Sequence, residues 1–185
     1  FMFNSSSQND VYILNSSLNQ TGSILGLGDD ERIYAVRFIG DTGYVVTYRQ
    51  IDPFYVLDLS NPTQPKKVGE LKIPGFSSYL HPLSDNLILG VGQEDFKVKL
   101  SLFDVSTPDS PQEISVYRLD DSYTEVNNNH RAFLHDSDNH FFVIPGSNNA
   151  YVITYKDSTL ALEKSIAISG IKRSLYINDF LYLIG

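Results

Sequence analysis

The chain has no cysteine, no tryptophan and one methionine in 185 residues. Without cysteine there are no disulfides, no thiolate nucleophile and no Cys-ligated zinc or iron–sulfur site. That absence does not fix a compartment, because a chain of this length buries a core without covalent staples. No run of about 18 apolar residues occurs, so no helix of this sequence is expected to span a bilayer. Basic residues are scarce: 14 Lys and Arg face 22 Asp and Glu, a net charge of −8. They cluster only as the doublets Lys66-Lys67 and Lys172-Arg173. Nucleic acid is therefore not an expected partner, since phosphate binding needs clustered cations. The chain opens on Phe1 with no charged region ahead of an apolar one, so no signal peptide is visible. Its last residues, Leu181-Tyr182-Leu183-Ile184, read as a strand, and both ends look like cuts through a longer protein.

What is present favours strands. Twelve Tyr and eleven Phe accompany many Val, Ile and Thr residues. Asp58-Leu59-Ser60-Asn61-Pro62-Thr63-Gln64-Pro65 recurs as Asp104-Val105-Ser106-Thr107-Pro108-Asp109-Ser110-Pro111, each preceded by an apolar run. A degenerate copy, Asn15-Ser16-Ser17, follows Val11 to Leu14. The Asp and Ser side chains of this turn can accept bonds from backbone amides two residues on. Its prolines stop the preceding strand, because they deny the ladder a donor.

Around these turns the runs fall into units of four. Ile33–Ile39, Tyr44–Tyr48, Phe54–Asp58 and Lys67–Ile73 form one unit. Ser78–His81, Leu87–Val91, Val98–Asp104 and Glu113–Leu119 form the next, and Arg131–His135, Phe141–Ile144, Tyr151–Tyr155 and Leu162–Ile168 a third. Val11–Leu14 with Ser23–Leu27, and Ser174–Ile177 with Phe180–Ile184, make a pair at each end. Four short strands per repeat of roughly 40–50 residues is the period of propeller blades, which cover one another's faces by stacking. The expected fold is all-β, a β-propeller of four-stranded antiparallel blades with about four blade equivalents. The terminal pairs either join and close a four-bladed ring, or the chain is an arc of a larger propeller. Residues 1–9 read as a polar linker, followed by blade parts at about 10–28, 32–73, 77–119, 130–168 and 172–185.

The segments Tyr55–Pro62, Val68–Leu71 and Leu102–Pro108 resemble the LVIVD-type repeats of bacterial and archaeal surface proteins. A closer resemblance is to secreted proteins with a C-terminal β-propeller domain distantly related to tryptophan–aspartate repeats. It is carried by Arg32–Phe38, Gly43–Gln50, Asp52-Pro53-Phe54, Gly69–Phe76, Tyr79–Pro82 and Lys172–Ile177. Glu125 and His130–Leu134 also find counterparts, whereas Asn127-Asn128-Asn129 stands where an acidic residue is usual. The resemblance implies an extracytoplasmic, secreted or cell-surface protein and no particular reaction. Asn-x-Ser/Thr triplets at Asn4, Asn15 and Asn19 fit an exposed, glycosylatable segment.

Antiparallel connectivity sorts the loops. Connections between first and second strands share one face with the signature turns, and those between second and third strands, or between blades, share the other. The second face is the expected binding face, by analogy with other propellers. Its polar candidates are Arg49, Asp52, Glu94, Asp95, Glu125 and His130. They are expected either to converge on a charged ligand or to be loop ion pairs and solvated acids. On the first face, His135-Asp136-Ser137-Asp138-Asn139-His140 is the most metal-like string. Phe141 and Ser147 stand where a calcium loop from Asp136 needs Gly and Glu. That leaves His135 and His140, facing each other across a hairpin with Asp136 and Asp138, as a transition-metal option beside a plain polar tip. No cofactor is expected otherwise. No Gly-x-Ser-x-Gly elbow or phosphate loop occurs. The leading functional expectation is a binding or scaffold module with a protein or glycan partner at the cell envelope. The alternatives are a hydrolase or lyase built on His130 and Glu125 or on the His135/His140 pair, and a purely structural envelope component.

Overall fold

The computed structural model describes residues 8–48 and 52–185. Among the described residues sixteen strands follow one another, and there is no α-helix. The first pair is β1 (Val11–Leu14) and β2 (Gln20–Ile24). Blade one comprises β3 (Arg32–Ile39), β4 (Thr42–Tyr48), β5 (Asp52–Asp58) and β6 (Lys66–Ile73). Blade two comprises β7 (Phe76–Pro82), β8 (Leu87–Glu94), β9 (Lys97–Asp104) and β10 (Gln112–Arg118). Blade three comprises β11 (Leu134–Asp136), β12 (Phe141–Pro145), β13 (Asn149–Thr154) and β14 (Ala161–Ala167). The last pair is β15 (Arg173–Ile177) and β16 (Phe180–Ile184). Each blade is an antiparallel meander in chain order, and the two terminal pairs remain separate two-stranded sheets. They do not join into a composite blade.

The apolar runs are continuous because the central strands are buried on both faces. Successive residues point to opposite sides of a strand. Val45, Tyr55 and Leu57 therefore pack back against Ile24 of the first pair and Leu27 just after it. Their neighbours Val46, Phe54 and Val56 pack forward against Leu80, Ile88 and Phe103 of blade two. Leu89, Val91, Leu100 and Leu102 in turn meet Phe142, Ile144 and Ile153 of blade three. Phe54 and Phe103 stack across the first seam, with ring centroids 4.5 Å apart. The core is thus a series of seams between blades, as a repeat architecture requires.

A second contact sets the blade spacing. In each pairing of third and fourth strands one extra residue is inserted: Thr21, Val68, Ile114 and Glu163. Such a bulge bends the strand. In the first three cases the next residue, Gly22, Gly69 or Ser115, then abuts the following blade. A Cβ on Gly22 would overlap the carbonyl oxygen of Pro62 and lie 2.8 Å from Cδ of Pro65. A Cβ on Gly69 would overlap that of Pro108 and lie 3.0 Å from Cδ of Pro111. Ser115 Oγ accepts a bond from the Leu160 amide at 3.0 Å instead. The signature prolines therefore do more than stop a strand: they are the surface on which the preceding blade rests.

The turns themselves form as the residues suggest. The Ser60 and Ser106 amides donate to the carboxylates of Asp58 and Asp104 at 3.0 and 2.9 Å, and the Ser17 amide donates to Asn15 at 2.9 Å. The Ser60 side chain and then its amide hold Asp58 below the usual carboxylate range, and the Ser106 amide and then its side chain do the same for Asp104. The signature turns lie beside the first hairpins, with Leu59 N bonded to Asp41 O and Val105 N to Asn86 O. Three details differ from the sequence expectation. β2 begins at Gln20 rather than Ser23, because the bulge places Gly22 inside the strand. β11 begins only at Leu134, since His130–Ala132 forms a 3-10 turn. Asn9, in the stretch read as a linker, is buried and donates to the carbonyls of Gly28 and Glu31, both at 3.1 Å.

Candidate functional site

The face opposite the signature turns carries a cleft of about 760 Å3 at the seam between blades one and two. Its walls are Tyr48 at the end of β4, Lys72–Phe76 between the blades, and the β8–β9 hairpin Gln93–Phe96. Tyr48 and Phe76 lie with ring centroids 5.0 Å apart, and Tyr34 joins them at 5.7 and 4.8 Å. Tyr48 at the end of β4 and Phe76 at the start of β7 form the aromatic floor, and Tyr34 packs on both without lining the cleft. Phe96, at the hairpin tip, is 91% exposed.

The polar wall is held from beneath by Lys99, whose side chain is only 4% exposed. Its ammonium donates to the Pro74 carbonyl at 2.8 Å and lies 3.0 Å from Glu113 and 3.8 Å from Glu94. Arg118 Nε also donates to Glu94, at 2.9 Å. A buried cation with two carboxylates and a carbonyl is costly to disrupt, so the Pro74–Gly75 floor is fixed. Gln93 Nε2 donates to Ser122 O at 2.8 Å and ties this wall to the long loop before blade three.

That loop is ordered by side-chain caps. Thr124 Oγ1 accepts from Val126 N at 3.2 Å to start one 3-10 turn, Glu125–Asn127. Asn129 Oδ1 accepts from Arg131 N at 3.1 Å to start the next. Asn127 Oδ1 accepts from Ser78 Oγ at 2.9 Å. Two members of the asparagine run thus have structural work, Asn129 as a cap, as its preference predicts, and Asn127 as a tie to β7. Asp121, in sequence merely half of an acidic doublet, binds the Ser147 amide at 2.8 Å and hydroxyl at 2.7 Å, and the Tyr123 amide at 3.2 Å. Burial pushes its pKa up, but these bonds outweigh burial and hold it low.

Four of the six expected face residues, Glu94, Asp95, Glu125 and His130, have described side chains, and these do not form one constellation. Glu94 and Asp95 line the cleft. Glu125 stands apart, accepting from Lys172 Nζ and Tyr123 Oη at 2.9 Å each, and the Lys172 bond above all depresses its pKa. The His130 side chain is exposed, and among the described residues no hydrogen bond joins it to Glu125. Asp52 opens β5 opposite Ile73, and Arg49 lies outside the described residues. Sequence spacing sorts residues by face but not by position around it, so it does not reveal the aromatic floor.

On the signature-turn face, His135 does not turn to His140. His135 Nδ1 lies 3.1 Å from His81 Nε2, His81 Nδ1 lies 3.0 Å from Tyr79 Oη, and His135 Nε2 lies 2.7 Å from Tyr155 Oη. This Tyr–His–His–Tyr chain crosses from blade two to blade three. With both rings neutral, one proton occupies each of its three gaps and the chain is satisfied in either direction. Burial first, then His135 and Arg37, push His81 down to about 4, and burial also lowers His135. Burial raises both tyrosines. The Asp136 carboxylate is taken up by the Asp138 and Asn139 amides at 3.1 and 3.0 Å and by Asn139 Nδ2 at 2.8 Å. Asp138 and His140 are exposed, and His140 has a positive φ of 56°. Among the described residues no three His, Cys, Asp or Glu side chains are grouped to hold a metal ion. No sequence spacing pairs His81 with His135, because they meet across a seam.

A profile of the beta propeller domain family matches residues 2–185. The chain belongs to that family. The propeller is 54% identical over 178 residues to an uncharacterized protein of Archaeoglobus fulgidus, covering 96% of this chain and 28% of the relative. It is 44% identical over 176 residues to an uncharacterized protein of Methanocaldococcus jannaschii, covering 94% of this chain and again 28% of the relative. The propeller thus spans little more than a quarter of the length of these relatives. No helix among its described residues is long and apolar enough to cross a membrane.

Proposed function

We propose that this propeller is an extracytoplasmic binding module that presents the cleft between blades one and two to a glycan or protein of the cell envelope. The observation that carries this reading is the cleft itself: a preformed concavity with an aromatic floor, a polar wall and a buried Lys99 brace. Clefts of roughly 300–1,000 Å3 with apolar walls and a few fixed polar groups are how proteins hold small ligands. The exposed Asn-x-Ser/Thr triplets at Asn15 and Asn19 support the location. The hydrolase reading loses its support, since Glu125 is committed to Lys172 and His135 to its partners across the seam.

Co-sedimentation of the intact protein with isolated cell envelopes of its source tests this proposal. Wild type and Asp109→Ala, on the opposite face, are expected to sediment alike, and Gln93→Ala/Asp95→Ala to remain largely in the supernatant. Equal sedimentation of all three, or of none, would overturn it.

A further inference from the structure

The β8–β9 connection is a two-residue hairpin, Asp95-Phe96 between the paired residues Glu94 and Lys97. Both turn residues have positive φ, 49° and 61°. That is the geometry of a type I′ turn, for which the second position favours Gly because a side chain crowds the backbone there. A bulky residue with φ above zero is an outlier, and such strain gathers at functional sites. Here the strained residue is an aromatic, it is 91% exposed, and it stands at the mouth of the cleft beside Tyr48 and Phe76. Its ring makes no aromatic contact with another described side chain, whereas Tyr34, Tyr48 and Phe76 pack on one another.

We infer that Phe96 is the stacking platform for a sugar ring bound in the cleft, and that the chain keeps a strained turn in order to display it. The inference rests on the binding reading above and names the ligand class. The C–H face of a pyranose carries slight positive charge and suits the negative face of an aromatic ring. The hydroxyl groups on its rim match Gln93, Asp95 and Lys72, which line the same cleft. An extended peptide is disfavoured because β8 and β9 each have a strand on both sides, so the hairpin offers no free edge for strand addition. In blade three the corresponding loop, Gly146-Ser147-Asn148, differs: it is bound down by Asp121.

The test is Phe96→Gly in the intact protein, with binding and thermal unfolding measured together. The probes are tetramers of β-1,4-linked glucose, β-1,4-linked N-acetylglucosamine and α-1,4-linked glucose, and a leucine-rich decapeptide. Asp-Gly is the preferred pair for this turn, so the variant is expected to melt about 2 °C or more above wild type. It is also expected to bind the preferred tetramer at least about tenfold more weakly. Phe96→Tyr should keep the binding. Unchanged sugar affinity in Phe96→Gly overturns the role of Phe96 and leaves the cleft reading standing. Binding of the decapeptide and of no tetramer overturns the sugar assignment. Wild type that binds none of the probes, with intact envelope sedimentation, overturns the sugar assignment as well; loss of sedimentation too would sink the cleft reading.

Discussion

Gly69→Val is expected to destabilise the intact protein by about 2–3 kcal/mol, seen as a lower urea midpoint at unchanged slope. The cost comes from the next blade. A Cβ at this position overlaps the backbone carbonyl of Pro108 and meets the ring of Pro111, neither of which is a flexible side chain that can swing aside. Relief requires the two blades to part, which strips Phe54 and Phe103 of their stacked contact and loosens a seam of fully buried side chains. Gly40→Asn is the control. Gly40 has a positive φ, 54°, which Gly69 does not, but an added Cβ there meets nothing within 4 Å, and asparagine tolerates that backbone. Its effect should stay below about 0.5 kcal/mol. If the two variants behave alike, the close approach of bulge and proline turn is not what spaces the blades.

Acidification is expected to remove about 2 kcal/mol of stability between pH 6.5 and about 4 through His81. Its folded value of about 4 lies below the ordinary 6.5, so the folded protein favours the neutral ring. In the unfolded chain the ring takes up its proton near pH 6.5, so between the two values the unfolded state binds more protons and stability falls as pH falls. Above pH 6.5 the contribution is fully present. A shift of that size corresponds to about 3 kcal/mol, and the partial exposure of the ring trims it to about 2. Arg37 from β3 adds to the pressure on His81, and around His135 the neighbours are Asp136, which opposes protonation loss, and His140, which favours it. The first extra proton leaves the hydrogen-bonded chain intact, because imidazolium can donate to both Tyr79 and His135. A second would set two N–H groups facing each other across 3.1 Å. In His81→Gln the slope of stability against pH between 6.5 and 5 should flatten, while the depressed carboxylates still titrate at lower pH. An unchanged slope would show that the histidine chain is not the sensor.

Much of the fold is legible in the sequence because its rules are local. Asp58 and Asp104 announce their turns through bonds two residues away, and the two-faced burial of β4, β5, β8 and β9 leaves continuous apolar runs that strand length and turn spacing resolve. The seams are not legible, since they join residues from about 20 to more than 50 positions apart with no shared pattern. Gly69 looks like any strand glycine until Pro108 is set against it, and His81 looks isolated until blade three brings up His135. The site follows the same division. Connectivity alone places Glu94 and Asp95 on the face that carries the cleft, but the cleft depends on Tyr48 and Phe76 meeting across two blades. One local sign is there: an Asp-Phe pair between Glu94 and Lys97, where a two-residue turn prefers Asp-Gly, is a sequence that accepts backbone strain for something other than stability.

The central claim is that this propeller works through the face opposite its signature turns. Site-specific photocrosslinking tests it directly and does not require the ligand to be identified. A benzophenone amino acid replaces Phe96 in one version of the intact protein and Asp109, in the signature turn of blade two, in another. Each is irradiated on isolated envelopes. Crosslinked envelope material is predicted from position 96 and none from position 109; crosslinks from 109 with none from 96 would contradict the account.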